Sequence, residues 1–253
     1  MTTLTLLVKA SNGGQLKKID DMLKSEFENL DLEVKVLGNS VNRWVQVSLS
    51  GEDEVIATSY INKNIGTCPV NIKNVDKFSV LRGYISKVDA DKQELKVDVG
   101  VFEPNIIQAT IPLAYLQAQL ADGKKVDLKK ISEGYGLQVS LPLSIKITSL
   151  NDKDEWLQAE LSTAQIEKTR LWHQSLLDRL IVLGSSISEI ENVLERTRLN
   201  RDVISTETLG LFEHALTCKL GTDAAGLIPK IGRYMKNSTF IVFSPKKLDR
   251  IYR

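Results

Sequence analysis

Residues 78–88 read Phe78-Ser79-Val80-Leu81-Arg82-Gly83-Tyr84-Ile85-Ser86-Lys87-Val88. The run is rich in strand formers, holds one glycine and stops at the turn residues Asp89-Ala90-Asp91-Lys92, so it reads as one long strand. A glycine inside a strand permits the tight bend that a small barrel needs. Four more strands follow from the same period-two reading. Gln93 to Gly100 puts Leu95, Val97 and Val99 on one face and Lys96 and Asp98 on the other. Ile106 to Ile111 is the third strand, and Pro112 opens a short helix from Leu113 to Leu120. Asp122 to Gly136 reads as a polar loop. Ser144 to Thr148 and Trp156 to Ser162 form a last hairpin across Asn151-Asp152-Lys153-Asp154. Three strands, a short helix and two strands are the plan of a five-stranded OB barrel. Its inward residues are expected to be Val80, Ile85, Leu95, Val97, Val99, Ile111, Ile145 and Leu157.

The segments Gly83-Tyr84-Ile85-Ser86-Lys87-Val88, Val97-Asp98-Val99-Gly100, Ala109-Thr110-Ile111-Pro112-Leu113 and the closing Glu160-Leu161-Ser162 resemble an S1 RNA-binding domain over residues 78–162. Order and spacing carry the resemblance. It implies an S1-like OB barrel that offers aromatic side chains to RNA. In this sequence Tyr84 and Phe102 occupy suitable positions, with Phe78 and Tyr115 as possible additions, and each ring can serve either as a stacking surface or as barrel core. Residues 76–162 carry eleven basic and thirteen acidic side chains, so the barrel alone is a poor grip for phosphate.

Residues 1–75 use another grammar. A strand over Thr3–Val8 is broken by Ser11-Asn12-Gly13-Gly14, and Leu16, Ile19, Met22, Leu23 and Phe27 then recur at helical spacing. Two alternating strands, Leu32–Val36 and Trp44–Leu49, flank a Gly38-Asn39-Ser40 turn. A second helix fits Glu52 to Ile65, and Pro69 to Val75 can return as a fourth strand. The order β-α-β-β-α-β is ferredoxin-like, a fold that names no function.

After residue 162 the chain reads first as helix, from Gln165 to Leu183, ending at Gly184. Ser186-Ile187-Ser188-Glu189 is a capping box for a second helix. Phe212, His214, Leu216, Cys218 and Leu220 then alternate as a strand, Gly221 to Gly226 reads as a turn, and Thr239 to Phe243 is a final strand. Gly226-Leu227-Ile228-Pro229 looks like a weaker echo of the barrel's third-strand exit. Net charge is +1 for the whole chain, yet residues 196–253 hold eleven basic and five acidic side chains. That asymmetry fits an anionic partner or a solvated basic face.

Catalytic and metal motifs are few. Gly221-Thr222-Asp223-Ala224-Ala225-Gly226 has the outer spacing of a phosphate loop but is followed by Leu227-Ile228, so the phosphate lysine and the magnesium hydroxyl are missing. Gly134-Tyr135-Gly136 lacks the third glycine of a dinucleotide site. His214 and Cys218 would lie about 13 Å apart on a strand, too far to share a metal ion. No apolar run approaches the roughly 20 residues of a spanning helix, and the N-terminus carries no secretory pattern. The expectation is therefore a cytoplasmic protein.

Thr217 to Arg233, together with Val97-Asp98-Val99-Gly100-Val101 and Gln119-Leu120-Ala121-Asp122-Gly123-Lys124, resembles an archaeal family, domain of unknown function 2110. The likeness implies an S1-like module and transfers no activity. The expected fold is α+β and multi-domain: a ferredoxin-like sandwich over 1–75, an S1-like OB barrel over 76–162, and a helical pair plus small basic β module over 163–253. The expected function is non-catalytic RNA binding, on the ribosome or elsewhere in translation, with no metal or cofactor and no membrane. The alternative is an adaptor that binds a protein of the transcription or translation machinery. Candidate RNA contacts are Tyr84, Phe102, Arg196, Arg198, Arg201, Lys230, Arg233, Lys236, Lys246 and Lys247.

Overall fold

The structure, a computed structural model, describes residues 1–151 and 156–251. Asp152, Lys153 and Asp154 of the expected barrel hairpin turn lie outside these. The chain divides into two compact units: residues 1–75 with 100–106, and residues 76–99 with the chain from 107 onward. None of the described helices is long and apolar enough to cross a membrane.

The first unit contains β1 (Thr2–Lys9), α1 (Gly13–Glu26), β2 (Leu32–Asn39), β3 (Trp44–Gly51), α2 (Glu54–Asn64) and the two-residue β4 (Val70–Asn71). Asn12 caps α1 by accepting the Gln15 N–H at 3.0 Å. Its apolar stripe buries Ile19, Leu23 and, just past its end, Phe27. Phe27 meets Tyr60 of α2 edge to face, with centroids 5.3 Å apart. The antiparallel sheet has the order β1-β3-β2. The expected fourth strand is corrected in position. The residues that pair with β1 are Gly66 to Cys68, through Leu7 N–H to Gly66 C=O and Cys68 N–H to Thr5 C=O. Pro69 has no N–H to extend that ladder and Val70 has φ of +63°, so β4 leaves β1 and pairs in parallel with Val101 and Glu103.

The second unit opens with the barrel: β5 (Val80–Asp89), β6 (Glu94–Glu103, up to Val99 in this unit), β7 (Ile107–Pro112), α3 (Leu113–Leu120), α4 (Leu128–Tyr135), β8 (Pro142–Asn151) and β9 (Trp156–Leu161). The strands follow one another as β6-β5-β8-β9-β7 and close from β7 back to β6. That closed order, with β7 and β9 parallel, is the OB barrel. Gly83 is needed for close approach: a Cβ there would sit 2.4 Å from the Asp98 carbonyl oxygen on β6. Seven of the eight expected inward residues are fully buried. Val80 is the exception, 60% exposed. It is an odd number of residues from Ile85, and the bulge of β5 comes only after Ile85, so the two face opposite sides. The expected polar loop is also corrected. Within it Asp127 accepts the Lys130 N–H at 2.8 Å and starts α4, which ends at Gly136 with φ of +67°.

The rest of this unit comprises α5 (Thr163–Gln174), β10 (Arg179–Leu183), α6 (Ile187–Thr197), β11 (Val203–Gly210), β12 (Glu213–Cys218), α7 (Ala224–Gly232), β13 (Thr239–Phe243) and α8 (Pro245–Ile251). The helix expected up to Leu183 stops at Gln174, and Arg179–Leu183 is the central strand of a four-stranded antiparallel sheet, β11-β12-β10-β13. Leu180 and Val182 face α6 and α7 within one apolar cluster with Ile190, Leu194, Leu227 and Ile231. The other face is covered too, for Trp172 of α5 meets Phe243 of β13 at 5.4 Å. A strand buried on both faces has no polar alternation to reveal it. The stretch read as a turn and barrel echo is likewise helix: Asp223 caps α7 and Pro229 lies inside it. The helices and strands of this region therefore form one β-α-β-β-α-β layer, with the same strand order as the N-terminal unit. Both cysteines are buried. The Cys68 thiol donates to the Leu6 carbonyl at 3.3 Å, and burial pushes the Cys218 thiol up to about 11.

Candidate nucleic-acid interface

The capping box forms as expected: Ser186 N–H donates to the Glu189 carboxylate at 2.9 Å and the motif is reciprocal. It fixes the start of α6, and burial of Ile190 and Leu194 fixes the helix's rotation. Arg196 is left on the solvent side. Arg198 ends the helix with φ of +58°, and Arg201 follows in an exposed turn. Helix α7 buries Leu227 and Ile231 on the same cluster, which turns Lys230 outward; Arg233 and Lys236 follow, also exposed. The Arg196 guanidinium lies over the Tyr234 ring, 4.7 Å from its centroid. This contact sets the C-terminal ends of α6 and α7 side by side. The ends of α6 and α7 thus carry six exposed basic side chains, one of which, Arg196, lies on a tyrosine ring that is 42% exposed.

Lys246 and Lys247 do not join them. They line a cleft of about 280 Å³ with Lys219 and the Gly221–Asp223 turn, at the N-terminal end of α7. That helix has nine residues, so its ends are about 13 Å apart. Phe102 is half-buried and belongs to the first unit.

Tyr84 is a correction. It lies on the outer side of β5, opposite to Ile85, but it is only 5% exposed. Its hydroxyl donates to Glu213 Oε2 at 3.3 Å, under the β11–β12 turn. A ring held there has no face for a base. Arg82 reaches the same turn, donating to the Leu209 carbonyl at 3.0 Å. Gly210 leaves room for the carboxyl, since a Cβ there would meet Glu213 Oε2. Burial pushes the Glu213 carboxyl up to about 7, against the pull of the Phe212 N–H, the Tyr84 hydroxyl and the Arg82 charge. The next residue, His214, has its pKa lowered, first by burial. Its Nδ1 faces Thr208 Oγ1 at 3.3 Å.

Tyr234 escaped the sequence reading of the site, whereas Phe78 is named there as an addition. Tyr234 stands beside Arg233 and between Lys230 and Lys236, the interleaving of aromatic and basic residues that marks nucleic-acid surfaces. Phe78 is exposed, with Lys77 Nζ at 4.8 Å and Lys146 Nζ at 5.7 Å from its ring centroid. Among the described residues no group of three or more His, Cys, Asp or Glu side chains could hold a metal ion.

No curated protein matches the chain. Among solved structures, a protein from vaccinia virus (Wisconsin strain) is 14% identical, covering 35% of this chain and 89% of its own, with a TM-score of 0.24. The intact alpha subunit of aIF2 from Pyrococcus abyssi is 8% identical, covering 66% of this chain and 97% of its own, with a TM-score of 0.28. The DUF2110 N-terminal domain matches residues 3–71 and the DUF2110 C-terminal domain matches residues 177–243. Those matches take in more than half of the sequence, and the chain belongs to the DUF2110 family.

Proposed function

We propose that this protein binds RNA without catalysing a reaction on it, through the paired C-terminal ends of α6 and α7. One observation carries the reading. Arg196 lies on the exposed Tyr234, and Arg198, Arg201, Lys230, Arg233 and Lys236 are exposed on the same two helix ends and the turns that follow them, which supports a surface combining phosphate charge with a stacking face. The S1-like barrel supports an RNA-related role by its fold class, although its Tyr84 is not available for stacking. Structured and single-stranded RNA of the translation apparatus are the ligands to try first.

Titration of a fluorescent RNA at two salt concentrations tests it. Replacing Arg198, Arg201 and Arg233 with alanine should flatten the slope of log affinity against log salt by about 2 to 3, or 0.7–0.9 per lost phosphate contact. Tyr234→Ala should weaken binding by about 1–3 kcal/mol and leave that slope nearly alone. If the wild type binds no RNA above background at low salt, RNA binding is wrong. The adaptor reading, a protein partner in transcription or translation, then takes its place.

A further inference from the structure

Three chain turns meet at one end of the C-terminal sheet. They are Leu176–Asp178 before β10, Lys219–Asp223 after β12, and Ser244 with the start of α8 after β13. The register brings them together, because Arg179 pairs with both Thr217 and Phe243. Between them lies the cleft of about 280 Å³. Its apolar lining is Leu176, Leu177 and Leu220, and its basic lining is Lys219, Lys246 and Lys247.

We propose that this cleft docks an acidic protein segment that inserts one aliphatic or aromatic side chain. The charges favour that occupant. The cleft's two carboxylates are used inside the fold: Asp178 accepts the Ser244 hydroxyl at 2.8 Å, and Asp223 accepts the Ala225 N–H at 3.1 Å. The three lysines are exposed and make no ion pair with a described residue. The lining therefore carries three lysines against two aspartates, a net positive charge, with none of the lysines ion-paired to a described residue.

The leucines decide between protein and nucleic acid. Leu220 is 79% exposed and Leu176 is 59% exposed. A nucleic acid brings phosphates and flat bases, which favour aromatic partners, and it has little to gain from aliphatic side chains. A peptide with an apolar anchor removes both leucines from water, while acidic neighbours of the anchor meet the lysines. The volume admits one large side chain.

The wall is already built. The Arg179 guanidinium donates to the Trp172 carbonyl at 3.1 Å, to Ser175 Oγ at 2.9 Å and to the Leu177 carbonyl at 3.2 Å, and stacks on the Trp172 ring at 5.1 Å. These contacts hold the turn in which Leu176, at φ of +56°, points outward. A preformed wall lowers the ordering cost of binding. None of the six basic residues of the proposed RNA face lines this cleft, so the two sites fail or hold separately.

The test uses the full chain and a fluorescein-labelled dodecapeptide with six glutamates around a central leucine pair. Controls are the same peptide with lysine for glutamate, with serine for leucine, and a twelve-nucleotide oligouridylate. Anisotropy gives affinity, and amide chemical shifts give the site. The expected result is binding of the acidic leucine peptide, with shifts at Leu176, Lys219–Asp223 and Lys246. Lys246→Glu with Lys247→Glu should weaken it at least tenfold at low salt. Leu220→Ser, at an exposed turn position that folding does not need, should weaken it about tenfold with the salt dependence kept. The proposal is overturned if the peptide does not bind at millimolar concentration, or if the lysine or serine peptides bind as well. It is equally overturned if the oligouridylate occupies the cleft with the same sensitivity to these variants, which would assign the cleft to RNA.

Discussion

Replacing Glu213 with glutamine should change how the stability of the second unit depends on pH. The carboxyl is almost wholly buried and its pKa is raised from 4.5 to about 7. The folded state therefore holds its proton more tightly than the unfolded chain does. Below about 4.5 both states are protonated and the effect is fully present as stability. As pH rises through about 7 the unfolded state gains by ionising first and that stability is lost. A gap of about 2.5 pH units corresponds to roughly 3 kcal/mol. His214 works the other way. Its folded pKa is depressed, so its contribution is present above 6.5 and lost as pH falls. Subtracting the variant from the wild type removes the histidine and isolates Glu213. Glutamine keeps an oxygen for the Tyr84 hydroxyl, and any cost of its extra amide is constant with pH. Urea unfolding, followed by the methyl signals of the buried Ile181 and Leu216, reports this unit. Relative to the variant, the wild type should lose roughly 3 kcal/mol between pH 4.5 and 8, and its Glu213 carboxyl carbon should titrate near 7. Parallel curves across that range, or a difference of opposite sign, would refute the reasoning.

Other outcomes follow from the packing. Leu23→Ala empties a fully buried position of α1 and should lower the stability of the first unit by about 2–5 kcal/mol in urea unfolding. Gly83→Ala forces a methyl toward the Asp98 carbonyl; a loss of about 1–3 kcal/mol is expected, read as a drop in melting temperature. Ser186→Ala removes the capping box of α6 and should cost about 1 kcal/mol, with faster amide exchange confined to the first turn of that helix.

The barrel was the most legible part of the chain. Alternation in Leu95-Lys96-Val97-Asp98-Val99 and the proline before Leu113 are local signals, and the structure keeps the bounds of α3 as read. Where the reading failed, another layer had changed the local pattern. Residues 180–183 are uniformly apolar because helices cover both faces of their strand, and an unbroken apolar run does not distinguish strand from helix. Helix α7 contains Gly226 and Pro229, which normally punctuate loops, and only its packing on the sheet outweighs them. Helix α4 was hidden by Lys124, Lys125, Lys129 and Lys130, although Asp127 and Gly136 mark its ends. The candidate site divides the same way. Counting charge pointed to the C-terminal end of the chain, because charge is additive along a sequence. It could not separate Lys246 and Lys247 from the arginines, nor show that a hairpin over a hundred residues away covers Tyr84, because both depend on tertiary packing.

The deep placement of the two thiols has a practical consequence. With the Cys218 thiol near 11, only about one molecule in ten thousand carries its thiolate at pH 7, and Cys68 is buried beside β1 with its hydrogen bonded to the Leu6 carbonyl. Maleimides and nitroxide reagents should pass the native protein by while it stays folded. Leu220→Cys would then supply one addressable sulfur at the mouth of the cleft, with both native cysteines left in place, and a spin label there would report on what enters.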